Sequence, residues 1–144
     1  MKDAIIIKSN KELNTYEKYD LMESPSIMAL KTLGNREIIG VGNWCEYSTT
    51  DNNGRTMEIL AIQDTFTGMV YAGQSETFRA EFEKILNMVS EMGETDFYIE
   101  ALTRKSKAGR DYMLCALVSP ETVQKRLGSS VMPEATNAMF DPAK

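Results

Sequence analysis

From Arg36 onward, apolar and polar positions follow two alternating periods. Arg36 to Thr49 (REIIGVGNWCEYST) is rich in β-branched and aromatic residues and predicts a strand, which the glycines at 40 and 42 should bend or bulge. Thr50-Asp51-Asn52-Asn53-Gly54 is turn chemistry, because Asn, Asp and Gly tolerate positive φ. A return strand follows over Arg55 to Asp64 (RTMEILAIQD), then a turn over Thr65 to Gly68 and a short third strand over Met69 to Gly73. There the period changes. Phe78, Phe82, Ile85, Val89 and Met92 recur at spacings of three and four, one face of a helix that Ser75 caps and Gly93 stops. Two further strands, Asp96 to Thr103 (DFYIEALT) and Asp111 to Ser119 (DYMLCALVS), flank the connection RKSKAGR, Arg104 to Arg110.

The resulting order, β-β-β-α-β-β, predicts a mainly β protein: a five-stranded OB-fold-like barrel with one amphipathic helix plugging its end. An SH3-like barrel or a small α+β sheet would give the same string. Three regions follow. Residues 1–35 read as an N-terminal arm and short helix, with apolar patches at Ala4 to Ile7 and Ile27 to Leu33; residues 36–119 form the barrel domain. Residues 120–144 read as a mobile or docked C-terminal tail, after a short helix over Glu121 to Leu127.

Composition narrows the function. At 144 residues and 42% hydrophobic, the chain can bury the core of one domain. Its apolar runs fall far short of the roughly 20 residues of a membrane span, and the run at Ala4 to Ile7 is shorter than the roughly 7 to 15 of a secretory signal, so no membrane partner and a cytoplasmic location are expected. Cys45 and Cys115 lie in apolar strands without metal spacing and read as buried free thiols. No histidine is present, which removes the commonest general base and the usual zinc ligand; no catalytic residues, metal or cofactor are expected, and the protein does not read as an enzyme. Gly40-Val41-Gly42 lacks the context of a dinucleotide fingerprint, and the methionines read as core filler.

The net charge of −5 argues against a nucleic-acid partner until its distribution is considered. The helix carries Glu76, Glu81, Glu83, Glu91 and Glu94 against Arg79 and Lys84, a solvated acidic face. The last connection carries Arg104, Lys105, Lys107 and Arg110 against Asp111. A soluble turn explains such a loop as well as a phosphate track does. Aromatic positions tip the balance: strand alternation puts Tyr98 and Tyr112 on the face of Glu100, beside the basic loop, and Trp44 on the face of Glu46. Taking the glutamate faces as the wet ones makes Trp44, Tyr98 and Tyr112 candidate base-stacking platforms, with Tyr47 and Tyr71 as weaker ones.

Three stretches, IIGVGNWCEY from Ile38, MVYAGQSETF from Met69 and TDFYIEALTRKSKAGRDYMLCAL from Thr95, give the chain a resemblance to the single-stranded DNA-binding proteins of phages that infect Gram-positive bacteria, in particular those with protein-primed replication. The resemblance implies an OB-like fold that coats displaced strands during DNA replication, tyrosines that stack and lysines that hold phosphates, with Tyr47, Tyr71 and Lys107 at matching positions. Single-stranded DNA is then the expected partner, with replication proteins as further ones. The alternative reading is a protein-interaction module, a phage factor that binds a host or replication protein.

Overall fold

A computed structural model describes residues 4–93 and 96–128. The elements run β1 (Ile5–Ser9), α1 (Thr15–Met22), β2 (Met28–Ala29), a 3-10 turn (Leu30–Thr32), β3 (Ile38–Thr50), β4 (Thr56–Asp64), β5 (Val70–Gly73), α2 (Glu76–Glu91), β6 (Phe97–Lys105), β7 (Asp111–Val118) and α3 (Pro120–Leu127). The protein is mainly β, a seven-stranded sheet curled into a half-barrel in the order β2-β5-β4-β3-β6-β7, with β1 added on β3. The five expected strands correspond to β3 through β7 and the expected helix to α2. Beyond the five strands and one helix expected of the barrel, β1, β2 and α1 extend the architecture, and α3 corresponds to the short helix expected over Glu121 to Leu127.

The thirteen-residue β3 organises the sheet. Along one edge it pairs with β4, from Val41 opposite Asp64 to Thr50 opposite Thr56. Its other edge is shared, β6 taking Ile38 to Val41 and β1 taking Cys45 to Ser48. The apolar stripe of α2 fills the concave face: Phe78, Phe82, Ile85 and Val89 pack on Ile39, Val41, Trp44, Leu60, Ile62 and Ile99. At about 1.5–3 kcal/mol per buried apolar side chain, these four helix anchors contribute about 6–12 kcal/mol before ordering entropy. Ser75 accepts the Phe78 N–H at the helix start, as a capping serine should. Arg79 links α2 to β3 and β4, pairing with Glu46 and Glu58 at 3.0 Å each.

The N-terminal segment covers the convex face. Leu13 and Leu21 are buried there with Cys45, Tyr47, Ala61 and Val70. Pattern reading passes over α1 because Leu21 is its one buried residue. The legible signal was a capping box: Asn14 accepts the Glu17 N–H while Glu17 accepts the Asn14 N–H, both at 2.9 Å. The expected helical turns over Ile27 to Leu33 are instead a strand and a 3-10 turn. Met28 and Ala29 pair in parallel with Tyr71 and Ala72, which brings Leu30 against Gly73. A Cβ at Gly73 would lie 2.9 Å from the Leu30 Cβ, so that approach requires glycine.

At the other end, Ser119 caps α3 and Pro120 occupies its first turn. Val123 packs on Ile38 and Val118, with Phe66 and Tyr98 against them. The expected mobile or docked tail lies, from residue 129 on, outside the described residues. Among the described residues, no helix is long and apolar enough to cross a membrane.

Candidate nucleic-acid interface

A β-bulge decides where the aromatic side chains point. Val41 pairs with Asp64, but Trp44 pairs with Ile62, so β3 carries one extra residue between the two pairs. That residue reverses the alternation. Asn10 holds the distortion: its Oδ1 accepts the Trp44 N–H at 2.9 Å, its N–H donates to the Trp44 carbonyl at 3.2 Å, and its Nδ2 donates to Asn43 Oδ1 at 3.1 Å. Trp44 therefore turns inward. It is 7% exposed and meets Phe82 edge to face at 5.4 Å, which corrects the expectation of an outward stacking platform. Trp44 does share a face with Glu46, but beyond the bulge that face is the one packed against α2.

Tyr47 is corrected likewise. It is 3% exposed beneath the N-terminal segment, where burial pushes its hydroxyl up to about 12, with Cys45 and Glu23 adding to the effect. Tyr71 is half-buried against the main core, and burial, then Glu37 and Asp64, raise its hydroxyl. Tyr98 points to the convex side as expected, yet it is half-buried, stacked on Phe66 with ring centres 5.7 Å apart, next to Val123. Of the five aromatic candidates, Tyr112 offers the most ring to solvent, at 36% exposure.

Arg104, Lys105, Lys107 and Arg110 are all exposed on the β6–β7 hairpin. Its turn is fixed by the Ser106 N–H to the Arg110 carbonyl at 2.8 Å, the Arg110 N–H to Ser106 Oγ at 3.2 Å, and Gly109 at φ +84. Lys105 pairs with Asp111 at 2.8 Å. Both groups are mostly solvated, so the pair contributes at most about 1 kcal/mol and yields readily to a phosphate. Arg104 stands directly across from Tyr112, which places both side chains on one face of the hairpin. Leu102 and Leu114 follow on that face as the next opposed pair.

Beside this face the half-barrel stays open. β7 pairs with β6 and β5 with β4 and β2, so no ladder joins β5 to β7. Side chains from the start of α2 bridge the seam, where Thr77 Oγ1 donates to the Met113 carbonyl at 2.6 Å. A cleft of about 550 Å³ runs along it, lined by Ala29, Lys31, Gln74, Glu76, Asp111 and Tyr112 among others. Sequence reading missed Lys31 and Gln74. They reach the cleft through the parallel β2–β5 pairing, a long-range contact without a local signature.

Among the described residues, no group of three or more His, Cys, Asp or Glu is arranged to hold a metal ion. Comparison with known proteins finds no family model that matches the chain, and no match among curated proteins or solved structures.

Proposed function

We propose that this chain is a sequence-tolerant single-stranded DNA-binding protein of OB-like fold, which coats single strands during DNA replication in the cytoplasm of a phage-infected cell. The observation that carries the reading is the β6–β7 hairpin, where four exposed cations surround the most exposed of the candidate aromatics in a chain of net charge −5. An acidic body repels phosphates from the rest of the surface, so a bound strand would be confined to this hairpin. Stacking on Tyr112 would supply roughly 1–3 kcal/mol per base and tolerate any sequence. The curled sheet with neighbours β5-β4-β3-β6-β7, and α2 joining β5 to β6 along the chain, supports reading these strands as an OB-like barrel. The resemblance to phage single-strand binders points the same way, with replication proteins as further partners.

The test is a titration of a fluorescent dT oligonucleotide of about 30 nucleotides at several salt concentrations, with a duplex control. Three to four phosphate contacts, at roughly −0.7 each, predict a slope of log affinity against log salt of about −2 to −3. Absence of binding at low salt defeats the proposal, as does affinity that ignores salt. Because Trp44 is buried, anisotropy should report binding while its fluorescence barely changes. A second reading, a protein-interaction module, is favoured by the exposed Ile5 and Ile7 on β1 and by Met88, Met92 and Leu117 around the end of α2. A stable protein partner without DNA affinity would select it.

A further inference from the structure

We infer that the cleft between β5 and β7 is a base pocket, which takes one unstacked nucleobase from a single strand whose phosphates lie on the β6–β7 hairpin. The inference rests on the proposed function and adds to it a site with defined chemistry. The charges of the cleft argue for a base and against a phosphate. Lys31 is accompanied by Glu76 and Asp111, so a dianionic or monoanionic group would meet carboxylates on two sides. A neutral base carries both donors and acceptors on its edge, and the Gln74 amide, the Lys31 ammonium and the two carboxylates supply the complements of each. Tyr112 lines the cleft and is 36% exposed, so its ring would offer the stacking face. The volume, about 550 Å³, falls within the range of ordinary small-ligand sites. Arg104 faces Tyr112 across the hairpin and Tyr112 lines the cleft, so a phosphate held by Arg104 would leave its neighbouring base beside the cleft.

The experiment compares dT of about 30 nucleotides with an abasic strand of the same length and charge. Wild-type protein should bind the abasic strand about fivefold or more weakly. Ala29→Phe, which fills the cleft from an exposed position, and Tyr112→Ala, which removes the ring, should each weaken dT binding by a similar factor. Both should leave abasic binding within about twofold, because the phosphate contacts are untouched. Tyr112→Phe should restore dT binding. Thermal unfolding identifies a variant that has lost its fold, and the other variant then carries the comparison. If wild-type protein binds both strands equally, or if the folded variants lose dT and abasic binding alike, the base pocket is overturned. Loss of dT binding after changing all four hairpin cations, together with wild-type dT binding by the cleft variants, overturns the pocket and leaves the DNA-binding reading standing. If no strand is bound, both fall.

Discussion

Asp64 shows how a single side chain fixes the geometry that the sheet needs. The residue is 4% exposed, and its carboxylate accepts from the Gly40 N–H at 3.0 Å, the Phe66 N–H at 3.1 Å and the Thr67 hydroxyl at 3.1 Å. It ties the turn after β4 onto β3 beside the glycine pair. A Cβ at Gly40 would come 2.1 Å from Thr65 Oγ1, so a larger residue there would force the Thr65 side chain to move. Asp64→Ala leaves two backbone donors without their acceptor and should cost about 3 kcal/mol of stability, measured by urea unfolding. DNA affinity at matched salt should be unchanged, since Asp64 is not among the residues assigned to binding. This glycine pair was legible as a bend, but its partner was not, because nothing local to Asp64 announces contacts 24 residues away.

At the scale of elements, the bulge in β3 and the β6–β7 hairpin had different legibility. The hairpin was readable because turn residues, strand alternation and charge all lie within one stretch, and the four cations are exposed as that stretch implied. The bulge was readable as a bend or bulge near two glycines, but its position, between Val41 and Trp44, depends on hydrogen bonds from Asn10 more than thirty residues earlier. Taking the Glu46 face as the wet one put Trp44 on the wrong side, because beyond the bulge that face packs against α2. Tyr47 failed for another reason, since the face it occupies is covered by an N-terminal segment whose apolar residues are sparse. Two predictions belong at this scale. Asn10→Ala removes the acceptor of the Trp44 N–H and should lower stability by about 1–2 kcal/mol while raising acrylamide quenching of Trp44. Changing Arg104, Lys105, Lys107 and Arg110 together to Ala should flatten the salt dependence of DNA binding by about 2 to 3 in slope and leave the unfolding midpoint nearly unmoved. An unaltered slope would remove the hairpin from the interface.

Across the whole molecule, both layers of the core hold groups whose protons are retained by burial, and this ties stability to alkaline pH. Cys115 belongs to the core between the sheet and α2, while Cys45 and Tyr47 belong to the layer beneath the N-terminal segment. Burial pushes Cys45 from 9.0 to about 11 and, with Glu81 adding to it, Cys115 from 9.0 to about 12; Tyr47 moves from 10.0 to about 12. In each case the folded chain holds its proton at a pH where the unfolded chain has released it. Stability is therefore complete below about pH 9 and declines as pH rises toward 12, by about 1.4 kcal/mol per pH unit for each group within its window. The thiols act first, from pH 9, and Tyr47 joins them near pH 10. Urea midpoints measured from pH 8 to 11 should show the decline begin near 9, and Cys45→Ala with Cys115→Ala should delay its onset to about 10. Equal slopes for wild type and variant between pH 9 and 10 would mean that the thiols ionise as freely in the folded chain as in the unfolded one. Because the two cysteines sit in different layers, comparing the single variants tells which layer keeps its thiol protonated. If Cys45→Ala alone removes most of the early slope, the N-terminal cover holds its thiol protonated while the α2 core lets Cys115 ionise, and the α2 core is then the more open of the two layers.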